Sequence, residues 1–157
     1  MRKRIVHQDT QSASAVNPSW LDLQALARVE LTSEDAAYPI EAALTPDAGE
    51  GWRAAEAGEQ TIRLQFDQQQ RVSRIQLLIR EERQARTQEF VLRWSPDNGQ
   101  SYREIVRQQY NFSPPHVTRE FEDYTVDLAD VTTVELRIIP AISGGDARAA
   151  ITQLRIA

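Results

Sequence analysis

Residues Gln88 to Ile105 read Gln-Glu-Phe-Val-Leu-Arg-Trp-Ser-Pro-Asp-Asn-Gly-Gln-Ser-Tyr-Arg-Glu-Ile. Phe90, Leu92 and Trp94 alternate with Val91 and Arg93, so a period of two sets three large apolar side chains on one face of a strand. Such a face requires a core to cover it. Ser95-Pro96-Asp97-Asn98-Gly99 then supplies turn chemistry: Pro fixes φ, Asp and Asn bond back to their own backbone, and Gly accepts a positive φ. A returning strand follows from Tyr102.

Working outward, the same period recurs. Ala27, Val29 and Leu31 predict a first strand, and Ile62, Leu64 and Phe66 a second. Asp67-Gln68-Gln69-Gln70 reads as a connection to a strand carrying Val72, Ile75, Leu77 and Ile79, with a bulge or a late start where the alternation breaks. Further strands are expected at Phe121–Leu128, at Val134–Ile138 before Pro140, and at Ile151–Ile156. Gln108 to His116 ends in paired prolines and predicts an exposed, semi-rigid loop. Asn17, Pro18 and Ser19 can cap a short helical turn over Trp20 to Leu23, or this segment is an extended lead-in. About eight short strands separated by turns predict an all-β, antiparallel β-sandwich.

Composition narrows the function. The 157 residues have the length of one domain, with Met1 to Asn17 expected as a flexible tail and 18–157 as the domain. A net charge of −5 argues against a nucleic-acid reader. Between Thr61 and Tyr110, however, nine Arg face six acidic residues, which predicts charged outer faces on the sandwich. Cysteine is absent, which excludes disulfides and thiolate chemistry. Met-Arg-Lys-Arg is followed by polar residues rather than an apolar signal core, and no stretch approaches the ~18 apolar residues of a membrane helix. The expectation is a soluble, cytoplasmic protein without membrane insertion.

The strand, the Ser-x-Asp-x-Gly turn and the aromatic-x-x-Ile return resemble the hairpin of discoidin (coagulation factor type C) domains in the galactose-binding-like superfamily. The likeness extends to Ala36–Leu44, the Asp-containing loop Thr45–Glu50 and Gly51-Trp52, and covers roughly Ala27 to Ala157. It implies a jelly-roll sandwich whose loops at one rim bind a carbohydrate, a lipid headgroup or a protein segment. It also implies a loop that holds a structural calcium through backbone carbonyls and a carboxylate. Asp47 matches that carboxylate, while Gln153 stands where a second acid is expected, and neutral Gln serves a hard cation less well.

Candidate chemistry can be weighed residue by residue. Tyr110, Asn111, Phe112 and His116 combine aromatic faces with hydrogen-bonding groups, the mixture that pyranose rings require, and Arg83 and Arg86 precede the hairpin and can share its rim. Trp52 and Trp94 read as core. For catalysis, Ser113, His116 and Asp123 form an imaginable triad without a nucleophile elbow. Glu120 and Glu122, at i and i+2, share one strand face, where a solvated edge is the simpler account. Gly144-Gly145-Asp146 is a turn without phosphate-loop context. The expected function is a non-catalytic module that binds carbohydrate at one rim. An intracellular protein-interaction domain of the same fold is the alternative, and a small hydrolase using Glu120, Glu122 or His116 the third.

Overall fold

The computed structural model describes residues 19–46 and 49–157. The expected tail over 1–17, with His7, and the loop residue Asp47 lie outside the described residues. Asp22 caps a short helix α1 (Leu23–Leu26) by accepting a hydrogen bond from the Ala25 amide at 3.3 Å, so the helical turn starts later than the Asn17-Pro18-Ser19 signal predicts. Strand β1 (Ala27–Leu31), helix α2 (Glu41–Leu44) and the short strand β2 (Trp52–Arg53) follow.

Two strands of 21 residues dominate what comes next: β3 (Gln60–Arg80) and β6 (Arg119–Ile139). Between them lies the hairpin β4 (Arg86–Ser95) and β5 (Arg103–Phe112). The chain ends with β7 (Ala150–Ile151), paired to β2, and β8 (Gln153–Ile156), paired to β3. The sequence expectation of an antiparallel sandwich holds. Two strands expected on either side of Asp67–Gln70 are, however, one continuous β3 with register shifts between Gln65 and Arg74. Those glutamines stay on the strand because it bends there in solvent, which suits long polar side chains.

Pairing explains how two strands build two layers. The first half of β3 pairs with β1 and with the second half of β6, which in turn pairs with β4 and through it with β5. The second half of β3 pairs with the first half of β6 and with β8. Inward-facing residues are even-numbered at Ile62, Leu64 and Phe66 but odd-numbered at Ile75, Leu77 and Ile79. Irregular register between the two sets inverts the parity, as an inserted residue must on a surface with period two.

Rows of side chains cross the five-stranded layer. On the inner face, Leu31, Ile62, Leu136, Leu92 and Val106 stand opposite one another, and Ile62, Leu136 and Leu92 are buried. One step along, on the outer face, the row is Glu30, Arg63, Glu135, Arg93 and Glu104, alternating in charge across all five strands. Arg63 Nε and Arg93 Nε each donate to Glu135 at 2.8 Å, and Arg93 also stacks 4.4 Å over Tyr102. Burial opposes ionisation of Glu135, but its bonds to Arg63 and Arg93 outweigh that and hold the carboxyl below its ordinary range.

The Ser95–Gly99 turn forms as its residues demand. Ser101 and Ser95 hydroxyls both donate to the Asp97 carboxylate at 2.6 Å and lower its pKa to about 2. Asn98 and Gly99 take φ of 60° and 86°. Gly51 is required for another reason: a Cβ there would lie 2.1 Å from the Ile151 carbonyl oxygen, so β2 and β7 could not pair. Trp52 and Trp94 are core, as expected, and Trp52 donates its indole N–H to the Ser33 carbonyl at 3.2 Å.

Glu135→Gln leaves two guanidiniums facing each other across an uncharged partner. We expect a loss of about 3 kcal/mol in urea unfolding, the usual scale for breaking a buried charged contact. Unchanged stability would show that the row is decorative.

Candidate functional site

One end of the sandwich gathers the termini of four strands. There β3 ends at Arg80, β4 begins at Arg86, β5 ends at Phe112 and β6 begins at Arg119, with Arg80 opposite Arg119 and Arg86 opposite Phe112. The β2–β7 pair and the segment around Tyr38 close the same end. Between them lies an open cleft of about 560 Å³ lined by Tyr38, Glu50, Arg53, Arg83, Asp146 and Arg148, among others.

Its floor is fixed before any ligand arrives. Glu81 accepts from Arg86 Nε at 2.7 Å and, with its other oxygen, from the backbone amides of Arg83 and Gln84 at 2.9 and 3.4 Å. Burial opposes the Glu81 charge, yet Arg86 and the amides prevail and lower its pKa. Arg86 is itself buried, donating to Gln88 Oε1 at 2.9 Å and to the Pro140 carbonyl at 2.6 Å, and lies 4.7 Å over the Phe112 ring. The loop after β3 is therefore held in shape by one ion pair with a satisfied second coordination.

Above that floor the groups are free to act. Arg53 stacks 4.8 Å over the Tyr38 ring. Among the described residues, neither Arg53 nor Arg83 nor Arg148 makes an ion pair. The Tyr38 ring, the guanidiniums of Arg53, Arg80, Arg83 and Arg148 and the carboxylates of Glu50, Glu82 and Asp146 line one cavity and offer both donors and acceptors to a polyhydroxylated ligand.

Of the residues expected from sequence, Arg83 and Arg86 line this cleft. Tyr110, Asn111 and Phe112 lie on β5, not on a loop: the strand continues to Phe112 because the prolines fall after it, in the Ser113–Val117 turn. Phe112 is buried beneath Arg86 and meets Tyr110 edge-on at 5.0 Å, while Tyr110 donates its hydroxyl to the Arg119 carbonyl at 2.6 Å. Asn111 accepts from the Thr87 hydroxyl, and His116 stands exposed in the turn. These four occupy the same end of the sandwich beside the cleft. Tyr38, Arg53 and Arg148 were not singled out from sequence, although Arg53 follows the Gly-Trp that carries the resemblance, and Asp146 was read only as part of a turn.

The catalytic arrangements imagined from sequence take other roles. The Asp123 carboxylate is taken by Arg74 at 2.6 Å, so no Ser113–His116–Asp123 triad forms. Nor are Glu120 and Glu122 a solvated edge. Glu120 is only 1% exposed and points between the layers, where Gln88 Nε2 donates to it at 3.1 Å. The strand alternates inward at Glu120, Glu122, Tyr124, Val126 and Leu128, and it is Phe121 that faces water. Burial, reinforced by the Glu122 carboxyl beside it, raises the Glu120 pKa to about 8. Glu120 Oε2 meets no hydrogen-bond partner among the described residues, as a carboxyl kept protonated by burial can tolerate better than a carboxylate.

Comparison with known proteins places this geometry in a family. The F5/8 type C domain model matches residues 28–151, and the chain belongs to that family. Among solved structures, the family 32 carbohydrate-binding module of Clostridium perfringens NanJ, in complex with galactose, is similar at a TM-score of 0.65 and 14% identity, over 87% of this chain and 96% of that one. A second Clostridium perfringens family 32 module, in complex with GalNAc-β-1,3-galactose, gives 0.65 and 17% over 88% and 99%. Reduced XRCC1 bound to the DNA pol beta catalytic domain gives 0.59 and 16% over 84% and 96%. No curated protein matches the chain.

The raised pKa of Glu120 sets a pH dependence. Glu120 ionises near 4.5 in the unfolded chain and near 8 in the folded protein, so the unfolded state releases its proton first. This contribution to stability is complete below about pH 4.5 and is lost as pH rises to about 8. Urea unfolding across that range should show the slope in the native protein and a flatter one in Glu120→Gln. An equal slope in both would assign it to other groups.

Proposed function

We propose that the protein is a non-catalytic carbohydrate-binding module and that the glycan is held in the rim cleft between Tyr38, Arg53, Arg83 and Arg148. The observation that carries this reading is the cleft itself: unpaired guanidiniums beside an aromatic ring, above a loop already fixed by Glu81 and Arg86. A sugar presents axial and equatorial hydroxyls around an apolar C–H face. The part of the Tyr38 ring that Arg53 leaves uncovered packs against the apolar face, and planar guanidinium forks take pairs of hydroxyl or carboxylate oxygens. Membership of the F5/8 type C family and the sugars named for two solved relatives support the same reading.

The residues singled out from sequence divide by role. Arg83 contacts the ligand. Arg86 is a positioning residue, because its charge is spent on Glu81 and its plane on Phe112. Phe112 supports Arg86 from below, Tyr110 backs Phe112, and Asn111 and His116 extend the polar rim for a longer chain.

A glycan array followed by calorimetric titration tests this. We expect at least one glycan to bind, and Tyr38→Ala and Arg148→Ala each to weaken it by about tenfold, equal to about 1.4 kcal/mol, with unchanged far-ultraviolet circular dichroism. Binding to no glycan, or binding indifferent to both substitutions, would overturn the assignment.

A further inference from the structure

The resemblance noted above implies a structural calcium in the loop after α2, held by backbone carbonyls with help from an acid near the last strand. Asp47 lies outside the described residues, and among the described ones Gln153 does not suit that ion. Gln153, at the start of β8, turns its amide toward the loop, and Nε2 lies 3.3 Å from the Thr45 carbonyl oxygen and 3.2 Å from that of Pro46. Both partners are carbonyls with no proton to give, so the nitrogen rather than the oxygen of the amide must face them. Two oxygens that could have pointed at a cation instead accept N–H bonds.

The amide is well placed for this. Gln153 pairs with Leu78 on β3, the neighbouring Thr152 amide donates to the Leu78 carbonyl at 2.8 Å, and Leu154 beside it is buried. A rigid strand therefore presents the donor at fixed height, with a side chain long enough to reach the loop. Among the described residues no cluster of three His, Asp or Glu side chains could hold a metal. A hard cation needs several oxygens with available lone pairs and favours carboxylates among them, whereas a neutral amide carries its own partial positive charge on two N–H groups. A divalent ion entering here would have to displace both N–H bonds while gaining no charge from Gln153.

We infer that the Gln153 amide replaces the family's structural calcium in this chain, joining the Thr45–Pro46 turn to β8 by hydrogen bonds and making the fold independent of divalent cations. The exchange converts an ion whose occupancy depends on calcium concentration into a covalently tethered donor that is always present. The inference is independent of the glycan assignment, since it concerns the loop's anchorage rather than the cleft.

Thermal unfolding of the full chain, followed by circular dichroism in EDTA and in millimolar calcium chloride, tests it. The native protein should unfold at the same midpoint in both. Gln153→Ala should lower the midpoint equally in both, because the lost anchor is not a metal ligand. Gln153→Glu removes both N–H donors and sets a carboxylate against two carbonyls, so it should unfold earlier in EDTA and recover in calcium. A saturable rise of the native midpoint with calcium would overturn the inference, as would a Gln153→Ala midpoint equal to native. A Gln153→Glu protein indifferent to calcium would overturn the equivalence of amide and ion.

Discussion

The structure depends on one constraint: β3 and β6 remain paired to each other while both pass from one layer of the sandwich to the other. Neither layer can be built separately, because each contributes half of the same two strands. The bend must therefore be absorbed where register shifts between Gln65 and Arg74, and the inward face must change parity there. With β3 and β6 wrapped around it, the core from Ile62 to Ile156 is a single cluster. The four strand ends at Arg80, Arg86, Phe112 and Arg119 come to one rim as a consequence of the same pairing.

Electrostatics follows from that geometry. The arginine-rich middle of the chain suggests an attractive surface for acidic partners, but position decides what each arginine does. Arg63 and Arg93 are committed to Glu135 in a row that spans the layer, Arg74 to Asp123, and Arg86 to Glu81. At the rim, by contrast, Arg53, Arg83 and Arg148 line the cleft without an ion pair among the described residues. Net charge is thus a poor guide to this molecule, whereas the partner each arginine meets decides whether it serves the scaffold.

Sequence pattern was readable wherever one side of a strand met the core and the other met water. Phe90, Leu92 and Trp94, with the turn after them, announced the hairpin, and the even spacing of Ile62, Leu64 and Phe66 announced β3. Glutamines at 68–70 looked like a connection because a bend in solvent and a loop select the same residues. Pro114 and Pro115 were read back onto Tyr110–Phe112, although a proline only forbids its own ladder position. Glu120 was misplaced because its charge was weighed above its parity, yet Tyr124, Val126 and Leu128 on the same face already pointed inward. The cleft was the least legible feature. Tyr38, Arg53 and Arg148 are scattered through the sequence and become neighbours through the Arg53 amide's bond to the Tyr38 carbonyl and the two-residue β2–β7 pair, contacts too short to leave a periodic signal.

The central claim is that ligand is held at this rim, over the loop shaped by Glu81 and Arg86. Its most direct test is amide chemical-shift mapping by NMR, during titration with the tightest glycan selected from an array. The account predicts perturbations concentrated at Tyr38, Arg53, Arg83 and Asp146 to Arg148, with the outer row around Glu135 silent. Perturbations centred on that outer row, or on the opposite end around Ser95 to Ser101, would contradict it.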